Sequence, residues 1–184
     1  MSKRDEIIQL ADMLIRQKGY NAFSFYDISN GVGIRPASVH YHFPAKSDLG
    51  IAVIERHLEH LNTVIADCES ASPVAKLDQF LSIYSSIQTE NSVCLVGALA
   101  TDFNTLDENV QTRLKAFTTE MLNWVSRFLD AGRAELVFSF EGEARTKALL
   151  ILANMLAIVQ LSRLTTTGDF ETIKNAVRSD LLKN

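Results

Sequence analysis

Residues 23–49 read FSFYDISNGVGIRPASVHYHFPAKSDL. Ser24 is followed three residues later by Asp27, which is the spacing of a capping box, so a helix is predicted to begin there. This helix must be short because glycines flank Val32, and Gly33 is expected to provide a sharp turn. The stretch therefore predicts a short helix followed directly by a glycine turn.

A second short helix is predicted to begin at Pro36 and to end near Phe43, since Pro44 disfavours helical geometry in the residue before it. At about 100° per residue, Val39 and Phe43 share one face, which we expect to point inward. The opposite face contains no acidic residue and consists of Ala37, Ser38 and Tyr41, with His40 and His42 on its flanks. Such a face is typical of a helix-turn-helix that enters the major groove. A helical hairpin that packs on another part of the protein is the alternative.

The rest of the chain is also predicted to be helical. The whole chain of 184 residues is 47% hydrophobic and contains 8 Gly and 3 Pro. This composition excludes a disordered chain and disfavours a many-stranded β architecture. Apolar periodicity, caps and breakers predict further helices over 5–18, 47–68, 72–88, 93–100, 107–132, 144–164 and 169–182. We expect an all-α protein of about nine helices.

Charge is distributed unevenly along the chain. The formal net charge is −4, yet the residues up to His57 include seven basic and six acidic side chains, and 33–47 has no acidic one. This pattern favours a polyanionic partner at one end. Cys68 and Cys94 are too few for a disulfide framework, which fits a reducing cytoplasm. No signal peptide is expected at the start. Polar residues interrupt the apolar run 148–164, so no membrane span is expected.

The stretch 23–49, including its ending of Phe43, Lys46 and Leu49, resembles the TetR family of bacterial transcription regulators. The order of the elements is similar from Arg4 to Arg56. The resemblance implies a DNA-binding domain over residues 1–46, with the helix-turn-helix at about 24–43, and an effector-binding and dimerisation domain over 47–184. It also implies a homodimer on a pseudo-palindromic operator, most simply a repressor released when a small effector binds.

Ten residues are candidates for DNA contact. The resemblance assigns phosphate contacts to Ser24, Tyr26 and Lys46, and phosphate and nearby base contacts to Tyr41 and His42. Base contacts are expected from Arg35, which can pair with guanine, and from small residues that can approach a thymine methyl. Two positions depart from the family pattern: His40 replaces a common Tyr, and Arg35 replaces a small capping residue. The full set is Ser24, Tyr26, Arg35, Pro36, Ala37, Ser38, His40, Tyr41, His42 and Lys46.

The effector candidates lie in the C-terminal half. They are the aromatic and soft side chains Phe80, Tyr84, Cys94, Phe103, Met121, Trp124 and Phe128, each of which would also suit a hydrophobic core. Because no cluster of Arg and Lys is evident among them, we expect an apolar or amphipathic effector. Cys94 could alternatively be a thiol sensor. Residues 144–164 are apolar nearly all round, which predicts dimerisation through the last two long helices; a buried central helix in a monomer is the alternative.

A metal-binding or enzymatic helical bundle is the rival class. His57 and His60 share a helix face, with Glu55 and Glu59 nearby, so metal ligation is permitted. However, the sequence contains no HExxH motif, no glycine-rich phosphate loop and no recognisable nucleophile with a partner. We therefore expect neither an enzyme nor a cofactor.

Overall fold

A computed structural model describes residues 1–90 and 92–182, and in these residues the only regular elements are helices. The prediction of an all-α fold with about nine helices is confirmed. The α-helices are α1 Lys3–Lys18, α2 Phe25–Val32, α3 Pro36–His42, α4 Lys46–Asp67, α5 Pro73–Thr89, α6 Leu95–Thr101, α7 Glu108–Ala134, α8 Ala144–Leu161 and α9 Thr167–Leu181. Two 3₁₀ turns, Tyr20–Ala22 and Phe103–Thr105, precede α2 and α7.

Several helix ends differ from the predicted ones, and at the starts of α1 and α9 the cause is an N-terminal cap. α1 begins two residues early because Ser2 and Asp5 form a capping box in which the Ser2 hydroxyl accepts the Asp5 amide. α8 ends at Leu161 rather than near residue 164. Thr166 caps α9 and pairs with Asp169, so Asp169 is the third residue of that helix and not its start.

The chain forms two compact units. Unit 1 contains Met1–His60 and Cys94–Thr118, and unit 2 contains Leu61–Val93 and the chain from Thr119 onward. The boundary expected between residues 46 and 47 therefore does not coincide with these units, since most of α4 and all of α6 belong to unit 1. The functional division into 1–46 and 47–184 stays a prediction.

In unit 1, α1 packs on α2 and α6, and α2 packs on α3. Val39 is fully buried and Phe43 is nearly so, which confirms the inward face predicted for α3. Gly33 ends α2 in the left-handed conformation, with φ of 70° and ψ of 39°. Its turn sets the direction in which α3 leaves α2.

In unit 2, α8 packs on α5 and α9. One side of α8 buries Ala148, Ile151, Leu152, Met155 and Val159. The other side exposes Leu149, Leu150 and Leu161, at 46%, 55% and 51% of their surface. By length and composition the 18 residues of α8 could also cross a membrane, a property shared with core helices of globular proteins.

Candidate DNA-binding surface

The α2–α3 pair is built by local hydrogen bonds. The Ser24 hydroxyl accepts the Asp27 amide, and the Asp27 carboxylate accepts the Ser24 amide at 2.7 Å. After Gly33 the chain closes on α2, because the Ile34 amide donates to the Ser29 carbonyl at 2.9 Å. Arg35 stands at the N-cap of α3 without a side-chain cap, and Pro36 fixes the first helical turn as expected.

The outward side of α3 is open to solvent. Tyr41 exposes 84% of its surface, and Ala37 and His40 are exposed too. A groove of about 460 Å³ runs along this side, and we call five of the residues that line it the recognition face: Arg35 at the N-cap of α3, and Ala37, Ser38, Tyr41 and His42 on α3 itself. All five are residues that the sequence analysis singled out.

Lys3 and Ile34 also line this groove, and the sequence analysis missed both. Lys3 pairs with Glu6 at 2.8 Å on the first turn of α1. The capping-box spacing of Ser2 and Asp5 would have extended the predicted helix back to Lys3 and revealed a second cation beside α3.

The two histidines of α3 differ in their surroundings. The ring of His40 lies edge-on to Phe25 of α2, with 4.9 Å between centroids. His42 lies edge-on to Tyr41 at 5.3 Å and lines the groove. His40 therefore bridges α3 to α2, whereas His42 belongs to the recognition face.

The polar groups of Ser24 are already engaged. Its hydroxyl donates to the Asp27 carboxylate at 2.7 Å, and its amide bonds to the same oxygen. These two bonds hold the pKa of Asp27 below its ordinary value, so the carboxylate is charged at neutral pH. The amides of Phe25 and Tyr26, in the first turn of α2, have no intrahelical acceptor.

Lys46 holds the segment that leads into α2. Its ammonium donates to the Phe23 carbonyl and lies over the rings of Phe23 and Tyr20, at 4.2 and 4.8 Å from their centroids. Burial lowers the pKa of this half-buried ammonium, while the charges of Asp102 and Asp27 oppose that change.

Five of the seven effector candidates form one cluster in unit 2. Phe80 packs against the rings of Tyr84, Trp124 and Phe128 at centroid distances of 5.3, 6.2 and 6.5 Å. The Tyr84 hydroxyl contacts the Met121 sulfur at 4.0 Å. The remaining two candidates, Cys94 and Phe103, belong to unit 1.

Cys94 caps α6, where its sulfur accepts the Gly97 amide at 3.2 Å. Burial raises the pKa of its thiol to about 11. Since the thiolate is the reactive form, this environment does not favour the thiol-sensor alternative.

Unit 2 also carries a groove of about 380 Å³ that the sequence analysis did not anticipate. The ends of α5 and α8 and the start of α9 form it, and it is lined by six residues with polar side chains and by one valine: Gln88, Thr89, Ser92, Val159, Ser162, Arg163 and Thr167. No sequence motif marks this groove, because its residues come from three separate helix ends.

The histidines of the rival metal hypothesis are not brought together with further ligands. The Nε2 atom of His57 lies 2.7 Å from the Asp12 carboxylate, and its ring packs on Phe117. Over residues 1–90 and 92–182, no group of three or more His, Cys, Asp or Glu side chains could hold a metal ion.

Comparison with known proteins connects this geometry to a family. Residues 7–53 match the model of the "Bacterial regulatory proteins, tetR family". The crystal structure of a TetR transcriptional regulator from Legionella pneumophila is 30% identical, covers 98% of both chains and superposes with a TM-score of 0.88. The chain belongs to the TetR family. It is a DNA-binding transcription regulator and not an enzyme.

Other TetR-family proteins match along most of the chain. A TetR-family regulator from Agrobacterium tumefaciens is 28% identical over 98% of both chains, with a TM-score of 0.91. The repressor NemR of Escherichia coli is 21% identical over 182 residues, which is 95% of this chain and 89% of NemR. The α2–α3 pair lies inside the segment that matches the family model.

Proposed function

We propose that this TetR-family regulator is a repressor that binds a pseudo-palindromic operator as a homodimer in the cytoplasm and leaves it when a small effector binds. The observation that carries the DNA-binding part is the recognition face, a solvent-open side of α3 with an arginine, two hydrogen-bonding aromatic rings and no carboxylate. A helix face exposed only to water would normally carry Glu and Lys. Repression is supported by similarity to NemR, a transcriptional repressor.

Within the proposed complex, base contacts belong to Arg35, Ala37 and Ser38. Arg35 is exposed at the start of α3, where its guanidinium can pair with guanine, and Ala37 is small enough for contact with a thymine methyl. Tyr41 and His42 reach phosphate and neighbouring base edges. Pro36 acts by fixing the first turn of α3, and His40 acts through its packing on Phe25.

Phosphate contacts flank the recognition face. The first turn of α2 offers backbone amides beside the Ser24 cap and the exposed Tyr26 ring, at the positive end of a helix dipole. Lys46 adds a charge near this turn, and Lys3 adds another at the groove. These contacts position the protein on the duplex without selecting a base sequence.

Dimerisation is proposed through α8 and α9. The outer face of α8 exposes Leu150, Ala153, Ala157 and Leu161, which follow one another at spacings of three, four and four residues and so form a continuous apolar stripe on the helix. Such a stripe suits a second copy of the same helix pair, because a closed two-fold dimer buries the same patch on both subunits. A dimer would also carry two copies of the α2–α3 pair, which match the two halves of a pseudo-palindrome.

The effector is proposed to be apolar or amphipathic and to act at the aromatic cluster of unit 2. Tyr84 and Trp124 add a hydroxyl and an indole N–H to an otherwise apolar set of rings. Trp124 is the only tryptophan of the chain, so its fluorescence reports on this cluster. Saturable quenching or a spectral shift during titration with a panel of apolar small molecules is expected, and no response at Trp124 from any compound that releases DNA would contradict this site.

Selection of bound duplexes from a random library tests DNA binding directly. We expect one pseudo-palindromic site to be enriched. Arg35→Ala and Tyr41→Ala should each weaken binding to that site by about 1–3 kcal/mol at fixed salt. Lys46→Ala should weaken operator and random DNA alike and reduce the salt slope by about one unit.

The matched control is Arg127→Ala, which removes an exposed arginine of α7 in unit 2. It should leave operator affinity unchanged. If no sequence is enriched, or if all three variants of the α2–α3 region bind the selected site as well as the wild type does, the proposed function is wrong.

A further inference from the structure

The turn between α1 and α2 is held by residues far along the chain. One carboxylate oxygen of Asp102 accepts the Tyr20 amide at 2.8 Å and the Asn21 amide at 3.4 Å. The Asn21 side-chain amide donates to the Thr105 hydroxyl at 2.7 Å. Asp102 therefore serves as an N-terminal cap for the Tyr20–Ala22 turn, whose own N-cap residue, Gly19, supplies no side chain.

Asp102 lies at the C-terminal end of α6, outside the 1–46 segment that the resemblance assigns to DNA binding. It nevertheless belongs to unit 1, and α6 packs on α1. A carboxylate that accepts two backbone amides forms charge-assisted bonds with a defined direction. Such bonds fix the orientation of the turn more narrowly than apolar packing would.

The Tyr20–Ala22 turn also contacts the first residues of α4 and the segment that leads into α2. The Tyr20 ring packs closely on α4 at Gly50, where a Cβ atom would lie only 3.0 Å from the ring. The Lys46 ammonium contacts the Tyr20 ring and bonds to the carbonyl of Phe23, the residue before the Ser24 cap. A continuous series of contacts therefore connects Asp102 to the first residue of the helix-turn-helix.

We propose that Asp102 is a positioning residue for operator binding: by holding the Tyr20 and Asn21 amides, it fixes the angle at which α2 and α3 leave α1. This inference rests on the proposed function. It extends the DNA-reading part of the molecule to the end of α6, although Asp102 itself lines no part of the α3 groove. A misplaced α3 loses directional base contacts, whereas contacts to phosphate tolerate small shifts.

The test compares Asp102→Ala with Asp102→Asn on the selected operator and on a random duplex of equal length. Asp102→Ala should weaken operator binding about tenfold and leave random-duplex binding unchanged, because the substitution alters the orientation of α3 and not its contacts with phosphate. Asp102→Asn keeps an acceptor oxygen and should recover part of the affinity. Hydrogen exchange without DNA should show that protection of the Tyr20 and Asn21 amides falls about tenfold in Asp102→Ala.

Asp107→Ala is the matched control, since it removes a carboxylate from the same region that caps α7 and does not bond to the turn. It should not reproduce the selective loss on operator. If Asp102→Ala unfolds at the assay temperature, Asn21→Ala and Thr105→Val replace it, with an expected operator-selective loss of about threefold.

Unchanged operator affinity, or equal losses on both duplexes, would overturn the positioning role while leaving the proposed function intact. A wild-type chain that enriches no DNA would instead overturn the proposed function. The hydrogen-exchange measurement needs no DNA, so unchanged protection of the two amides would overturn the positioning role even then.

Discussion

The exposed faces of α3 and α8 differ in chemistry although neither resembles an ordinary solvent face. On α3 the outward residues are small, polar or aromatic, and Tyr41 is 84% exposed. On α8 they include three leucines, of which Leu150 and Leu161 are more than half exposed. Polar groups and small residues suit the edges of bases, while a row of leucines suits another apolar protein surface. Under the proposed function, unit 1 contacts DNA through α3 and unit 2 contacts a second copy of the chain through α8.

The interiors of the two units differ as well. Unit 1 contains bonds with a direction, such as Asp12 to His57 and Asp102 to the Tyr20 amide. Unit 2 is centred on rings that contact one another, with Phe80 fully buried among three of them. Directional bonds suit a unit that must hold α3 at one angle, whereas ring packing can be rearranged around a ligand.

The largest expected effect comes from breaking the ring cluster. Phe80→Ala should lower the free energy of unfolding by about 3–5 kcal/mol, because it leaves a cavity among Tyr84, Trp124 and Phe128. Denaturant unfolding followed by circular dichroism measures this change. Phe103→Ala, at a half-buried position of unit 1, is the control and should cost less than half as much. Equal costs would show that the cluster is not the centre of unit 2.

The second prediction breaks the apolar face of α8. Leu150→Glu combined with Leu161→Glu should convert the dimer into monomers, because buried carboxylates at a two-fold interface have no counter-charges. Mass photometry should detect the change. Operator affinity should fall by about 100-fold or more, because the two α2–α3 pairs would no longer bind the operator as one linked unit. The control, Asn62→Glu with Ala66→Glu on exposed positions of α4, should remain dimeric. A double α8 variant that stays dimeric would exclude this face as the interface.

The same contrast explains which features could be predicted from the sequence. The Ser24 cap, the Gly33 turn and the inward Val39 are encoded by residues within a few positions of each other, so local spacing was sufficient. The contacts of Lys46 with the Phe23 carbonyl and of Asp102 with the Tyr20 amide join residues 23 and 82 positions apart. No periodicity encodes such pairs, because they depend on how helices pack after they form.

The packing of α6 shows the same limit. The resemblance implies that residues 94–118 belong to the C-terminal domain. In the structure they form one compact unit with residues 1–60. Apolar patterning identified α6 as a helix correctly but could not identify its packing partner, α1.

The third prediction concerns a polar bond in unit 1. Burial raises the pKa of Asp12. The hydrogen bond and charge of His57, together with Arg16, lower this pKa by more than burial raises it, so the pKa of Asp12 lies below its ordinary value. Asp12→Asn should therefore lower the free energy of unfolding by about 1–3 kcal/mol at pH 7.

A depressed carboxylate pKa stabilises the fold at pH above its unfolded value of about 3.9, and this contribution disappears as pH falls through the folded value. The difference between wild type and Asp12→Asn should therefore shrink below about pH 4. Asp130→Asn, at an exposed ion pair with Arg133, should have an effect of less than about 0.5 kcal/mol at either pH. A difference that does not change with pH would rule out the charged bond as the cause.

The smallest expected effect comes from two left-handed turns that follow helices, one in each unit. α2 ends at Gly33 with φ of 70°, whereas α7 is followed by Leu136 with φ of 61°, a conformation that is strained for a residue with a side chain. The Leu136 turn has the hydrogen bonds of a Schellman motif, since the Val137 amide donates to the Gly132 carbonyl at 2.9 Å and the Leu136 amide donates to the Arg133 carbonyl at 3.1 Å.

Leu136 is 68% exposed, so Leu136→Gly removes little buried surface and should raise the free energy of unfolding by up to about 1 kcal/mol. Gly33→Ala should lower it by about 1 kcal/mol, since alanine would have to adopt the same positive φ. Opposite signs for these two substitutions in denaturant unfolding would confirm that the left-handed turn itself is the cause, and a loss of stability in Leu136→Gly would show that the exposed leucine contributes contacts that outweigh its strain.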